Sequence, residues 1–154
     1  MKVVQINSVY NYGSTGRIVM DLHREMQSRG IDSKVVYGYG KQYSENEYRM
    51  QSMLELKYNI ARGRITGRHG YYNKNATRKM LHWLKAFDPD IIHLHNIHGY
   101  YINVPMLFEY IKEYHKKVVW TFHDCWPFTG HCAYFDMYHC TNWKEGCKKC
   151  PAWN

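Results

Sequence analysis

KVVQINSVYNYGSTGRIVMDLHREMQSRGIDSKVVYG, residues 2–38, decides the fold. Its first five residues are a short apolar run rich in β-branched side chains, which predicts a strand. Residues 7–16 form a polar loop that contains Gly13 and Gly16. In residues 17–29, Ile18, Val19, Leu22 and Met26 recur at roughly helical spacing, and Gly30 supplies a C-terminal stop. SKVVY, residues 33–37, is a second strand. Strand, glycine loop, helix and strand make a βαβ unit.

The remainder continues the alternation. Residues 38–51 are polar, Tyr-rich and without period, and are read as a loop. Helices are expected over 53–66 and, after a break at 67–74, over 75–87. The second carries Ala76, Met80, Leu81, Leu84 and Phe87 on one face, and Asp88-Pro89-Asp90 ends it. IIHLH (91–95) reads as a buried strand, 104–114 as a helix with Pro105 in its first turn, and VVWTF (118–122) as a strand. The pattern implies an α/β fold, a parallel sheet with helices on both faces. Such sheets bind ligands beyond the carboxyl ends of their strands, which points to 7–16, 37–40, 95–101 and 123–130.

Composition narrows the class. Hydrophobic residues are 45% and charged residues 22% of the 154, which excludes a disordered or collagenous chain. No apolar run approaches the ~18 residues of a membrane-spanning helix. MKVVQINSVY lacks the pattern of a signal peptide, so a cytoplasmic chain is expected. The net charge of +8 is local. Residues 56–87 hold eight bases and no acid, and the other residues hold 13 of each sign. A nucleic acid, an anionic membrane surface or a phosphorylated substrate would suit that segment, as would a solvated helix face.

The strand-end loops carry the chemistry. Gly13, Ser14, Thr15 and Gly16 open a helix, where free N–H groups and the helix dipole favour an anion such as a phosphate. The loop has neither the GxGxxG nor the Gly-Lys-Ser/Thr pattern, and a plain turn capped by Ser14 or Thr15 is the alternative. In HLHNIH, strand alternation places His93 and His95 on one face, suited to substrate contact or turn support more than to metal. His123-Asp124 follows VVWTF. A His there can act as a general base or bind a substrate hydroxyl. Asp124 is read as a substrate or turn residue.

All five cysteines follow residue 124. Cys132-x7-Cys140-x6-Cys147-x2-Cys150 suits four thiolates on a structural zinc, with His131 and His139 as substitute ligands and Cys125 as the spare thiol. An iron–sulfur cluster, free thiols and artefactual disulfides are the alternatives.

Four stretches then carry a family resemblance: QINSVYNYGSTGRI, PDIIHLHNIHGYYIN, VVWTFHDCWPFTGHCAYF and the closing C-x6-C-x2-C-P. Along essentially its whole length the chain resembles the N-terminal half of retaining GT-B glycosyltransferases of family 4, of the type found in bacterial polysaccharide assembly. The resemblance implies a Rossmann-like three-layer domain over 1–124 with a Cys-rich extension over 125–154. It implies that Gly13–Gly16 face the donor phosphates and that His123 lies near the donor sugar and acceptor hydroxyl. It also implies that His95 and Asn96 shape the acceptor side. The partners implied are a nucleotide-sugar and a sugar or lipid-linked sugar acceptor, and no cofactor is required for catalysis. The family's donor-binding C-terminal domain has no counterpart in these 154 residues, so the chain alone is expected to be weak or inactive. Residues 57–79 would then attract an anionic inner-membrane surface or the acceptor diphosphate. A basic zinc-containing nucleic-acid module and a non-catalytic partner subunit, with a homodimer through the exposed cleft face, are the competing readings. Against the first, the bases lie far from the cysteines in sequence and no recognition motif is present, so no nucleic acid is expected.

Overall fold

A computed structural model describes residues 1–42, 44–130, 132–146 and 150–151. The chain divides between Thr121 and Phe122 into two compact units. In the first, β1 (Lys2–Val9), α1 (Gly13–Ser28), β2 (Asp32–Tyr39), β3 (Glu47–Arg49), α2 (Met53–Thr66), α3 (Lys74–Phe87), β4 (Ile91–Leu94), α4 (Val104–Glu113) and β5 (Lys117–Trp120) follow in order.

The five strands form one sheet in the order β3-β2-β1-β4-β5. Every pairing is parallel, with Ile6 opposite Val36 on one side and Leu94 on the other. β1 is central, and the chain reverses direction across the sheet between β1 and β4. Val4, Ile6, Val35, Val36, Ile92 and Leu94 are fully buried. α1 packs on β1 and β2, while α3 packs against α4. Right-handed crossovers place α1 on one face and α2, α3 and α4 on the other. The expected α/β sheet with helices on both faces is what forms.

Three local differences from the sequence reading have physical causes. α1 starts at Gly13, inside the expected loop, and its inner face is Gly16, Val19 and His23 while Ile18 is exposed. Two of those inner residues are not hydrophobic, so the apolar pattern was displaced by one position. β3 arises in the segment read as a loop, because a three-residue edge strand has too few side chains to show a period. Of VVWTF only the first three residues join the four-residue edge strand β5, which begins at Lys117, and Val118 and Val119 are both exposed although they point to opposite faces. The other helices lie close to where the sequence put them. α2 opens on a capping box in which Ser52 and Glu55 satisfy one another's backbone N–H groups, and it closes on Gly67 in the left-handed conformation.

His23 is 4% exposed, and its Nδ1 lies 2.9 Å from Ser33 Oγ. Burial lowers its pKa below the usual 6.5. The unfolded chain therefore takes up a proton first as the pH falls, so stability is full above about pH 6.5 and declines below it. Urea midpoints measured from pH 8 to pH 5 are expected to fall, and His23→Gln is expected to flatten that slope.

Candidate ligand site at the strand ends

Parallel order directs every strand's carboxyl end to one edge, and at a reversal such as that between β1 and β4 sheets of this kind leave a crevice for ligands between the outgoing loops. Asn7, buried near the end of β1, joins the two loops there. Its Nδ2 donates to Val9 O at 2.7 Å and to Thr15 Oγ1 at 3.5 Å, and its Oδ1 accepts from Asn96 N at 3.1 Å. One side chain thus ties the glycine loop to the loop after β4. Asn7→Ala leaves Val9 O and Asn96 N–H without this partner and is expected to lower stability by about 1–3 kcal/mol in urea unfolding.

On the glycine-loop side, Gly13, Ser14 and Thr15 form the first turn of α1. The N-cap is Tyr12, with no side-chain cap and no acid in the turn, so neither Ser14 nor Thr15 caps the helix. Gly13 and Ser14 are exposed and Thr15 is half-buried. A Cβ at Gly16 would sit 3.2 Å from Val9 Cγ2 and 3.3 Å from Asn11 N, which keeps α1 tight on β1. The uncapped N–H groups suit an anion.

On the β4 side, the loop closes on itself, with Tyr101 Oη donating to Asn96 O at 2.9 Å. Tyr101 is fully buried, and burial raises its pKa well above 10, so it remains the neutral donor. Asn96 is half-buried. His95 is 1% exposed. Its Nε2 meets Gln5 Oε1 at 3.2 Å, Gln5 Nε2 donates to Val19 O at 3.2 Å, and Trp120 Nε1 donates to His95 O at 3.0 Å. The His95 ring lies 4.1 Å from that of His93, tilted by 33°, and His93 reaches Thr121 Oγ1 at 2.9 Å. The His95 side chain is therefore placed to brace the loop from within the core, while the Asn96 backbone N–H turns to Asn7.

His123 and Asp124 open the second unit, and both are half-buried. Asp124 Oδ1 accepts from Trp126 N at 2.9 Å at the start of α5 (Trp126–Thr129). Burial pushes the Cys125 thiol pKa up, with the carboxylates of Asp136 and Asp124 adding to it. That suits a spare thiol. Cys132, Cys140 and Cys150 line one small pocket with Phe135, Tyr138 and Trp143, and none of them is in a disulfide. Cys147 and His131 lie outside the described residues. Among the described residues, no group of three or more His, Cys, Asp or Glu is placed to hold a metal ion.

Sequence reasoning passed over Gln5, Asn7 and Tyr101. The signal was there for two of them, since Gln5 and Asn7 are polar at alternate positions of an otherwise buried strand.

Comparison with known proteins agrees with this architecture. Residues 15–148 match the model of Glycosyltransferase Family 4. The chain is also 31% identical over 167 aligned positions to the putative colanic acid biosynthesis glycosyl transferase WcaC of Escherichia coli (strain K12). That alignment covers 100% of this chain and 40% of the relative, so the chain spans two fifths of the length of the protein it matches. With the parallel sheet, these matches establish that the chain belongs to glycosyltransferase family 4.

Proposed function

We propose that this chain is the acceptor-side half of a retaining glycosyltransferase that moves a sugar from a nucleotide-sugar to an acceptor hydroxyl during cell-surface polysaccharide synthesis. The observation that carries the reading is the pair of strand-end loops joined by Asn7. It sets an uncapped helix N-terminus beside a loop held from behind by His95 and Tyr101. Such an N-terminus stabilises negative charge on a departing diphosphate without a divalent cation. His123 is assigned to the acceptor hydroxyl and the donor sugar, and Asp124 to substrate contact or to the turn. The donor's nucleotide is assigned to a second domain, so this chain alone transfers weakly. The similarity to a putative colanic acid enzyme supports the polysaccharide assignment. Among the described residues no helix is long and apolar enough to cross a membrane. A cytoplasmic site of action, at the inner membrane face, fits a nucleotide-sugar donor. Proton NMR of the new linkage tests the stereochemistry: the donor's anomeric configuration is expected in the product, and its inverse would overturn retention.

The Cys-rich unit is read as a structural zinc module. The support is the shared pocket of Cys132, Cys140 and Cys150, with Cys147 paired to Cys150 in the sequence motif. Elemental analysis is expected to find about one zinc per chain, lost in Cys140→Ser together with a lower Tm. Metal-free wild-type protein with five titratable thiols would remove the zinc.

A further inference from the structure

The loop between β4 and α4, residues 95–103, is fastened at both ends. At its start, His95 N donates to Ile6 O at 2.9 Å and Asn96 N to Asn7 Oδ1 at 3.1 Å. At its close, Asn103 N donates to Thr77 Oγ1 at 2.8 Å, Asn103 Nδ2 to Tyr71 O at 2.6 Å and Val104 N to Gly70 O at 2.7 Å. Between these ends the backbone is strained. Six non-glycine residues among those described have positive φ, and five of them are Asn, Asp or His, the types that tolerate it. The sixth is Tyr100, at +65°. A bulky residue keeps such a conformation only where its surroundings over-determine it, and such places gather at functional sites. Tyr100 is half-buried, so core packing is a weak reason for a strained residue there.

What holds it is a seat on a glycine. A Cβ on Gly63, in α2, would meet Tyr100 Cδ1 at 2.5 Å and Cε1 closer still, so the ring lies directly on the helix backbone. The His69 ring lies 4.8 Å from it. The next ring goes to a different element. Tyr101 is fully buried against Gly38 of β2, and its Oη donates to Asn96 O at 2.9 Å. Rotation about φ of Tyr100 would reorient residue 101 relative to residues 95–99. The seat on Gly63 therefore fixes where Tyr101 meets Asn96, and Asn96 in turn meets Asn7.

We propose that Tyr100 is a positioning residue of the transfer reaction. Seated on Gly63, it holds the β4–α4 loop, and through Tyr101 it holds Asn96, in the arrangement that transfer needs. The inference rests on the reading of this loop as part of the acceptor side of a glycosyltransferase.

The test is label transfer from radiolabelled uridine, guanosine and thymidine diphosphate sugars to host membranes by the protein that contains this chain, together with its amide hydrogen exchange. Tyr100→Gly removes the ring and relaxes the backbone. It is expected to lower the rate at saturating donor by about 10–100-fold, the effect of a misplacement of about 1 Å, and to leave donor KM within about twofold. Gly63→Ala keeps the ring but fills its seat, and a loss of the same order is expected. The double variant is expected to lose no more than Tyr100→Gly alone, because both changes remove one contact. Tyr100→Phe keeps the ring on Gly63 and is expected to transfer within about threefold of wild type. Residues 95–99 are expected to exchange about tenfold faster or more in Tyr100→Gly and Gly63→Ala, with β1 and β4 unchanged. Thermal melts establish that each variant is folded. Unchanged exchange over 95–99, a rate near wild type in either single variant, additive losses in the double variant, or a loss in Tyr100→Phe as large as in Tyr100→Gly would each overturn the proposal. A wild-type protein that transfers from no donor removes the transferase reading, and this proposal with it. Every other result is read against an active wild type and bears on Tyr100 alone.

Discussion

Gly38→Ala is expected to lower the stability of the first unit by about 3 kcal/mol, the upper end of the cost of overpacking. Gly38 is buried in β2, and an added Cβ would lie 2.6 Å from Tyr101 Cγ and 2.8 Å from Ser8 O. Neither neighbour can yield cheaply. Tyr101 is fully buried and tied to Asn96 O, and Ser8 O belongs to the central strand. Gly63 makes a useful contrast. Its added Cβ would meet the Tyr100 ring, but that ring is half-buried and can swing aside, so Gly63→Ala should cost less. Urea unfolding followed by far-UV dichroism measures both. Gly38→Ala/Tyr101→Leu is expected to recover little over Gly38→Ala, because leucine keeps the Cβ and Cγ that the added Cβ would meet at 2.7 and 2.6 Å. A Gly38→Ala cost within about 0.5 kcal/mol would show that the β2 end and the β4 loop are not in contact as described.

His123→Ala is expected to lower kcat of the protein containing this chain by about 10²–10⁴, the usual contribution of a general base or acid. KM for the donor should move little, because the donor's nucleotide is assigned to another domain. Asp124→Asn should do less than Asp124→Ala, since the amide oxygen can still accept the Trp126 N–H bond. Turnover near wild type in His123→Ala would remove His123 from the catalytic set. Equal losses in kcat and in thermal stability would make it a structural residue of the second unit.

Most of the fold is legible in the sequence because its signals are redundant. KVVQI and SKVVY are apolar enough to be strands, and the helix between them is bounded by glycine on both sides. α2 and α3 carry their boundary residues openly, Ser52 and Gly67 for one and Asp88-Pro89 for the other. What escapes reading is what depends on neighbours distant in the chain. β3 exists because β2 offers it an edge, with Val36 opposite Tyr48. His23 is an inner residue because Ser33, ten positions on, accepts it as a partner. The site divides in the same way. The glycine loop, Asn96 and His123 stand out by residue type and by position at strand ends. Asn7 does not, because its role lies in joining residue 15 to residue 96, a proximity that only the order β2-β1-β4 creates. His95 is conspicuous in HLHNIH, yet its ring turns to Gln5 in the core, since the strand's alternation runs on through it.

Transfer of label is the most direct test of sugar transfer by the protein that contains this chain. Membranes from host cells producing it would be incubated with radiolabelled uridine, guanosine and thymidine diphosphate sugars, and label would be counted in the lipid-extractable and polymer fractions. Incorporation from at least one donor is the predicted result, dependent on the protein and abolished by His123→Ala. Equal incorporation with and without the protein, from every donor, would contradict the account.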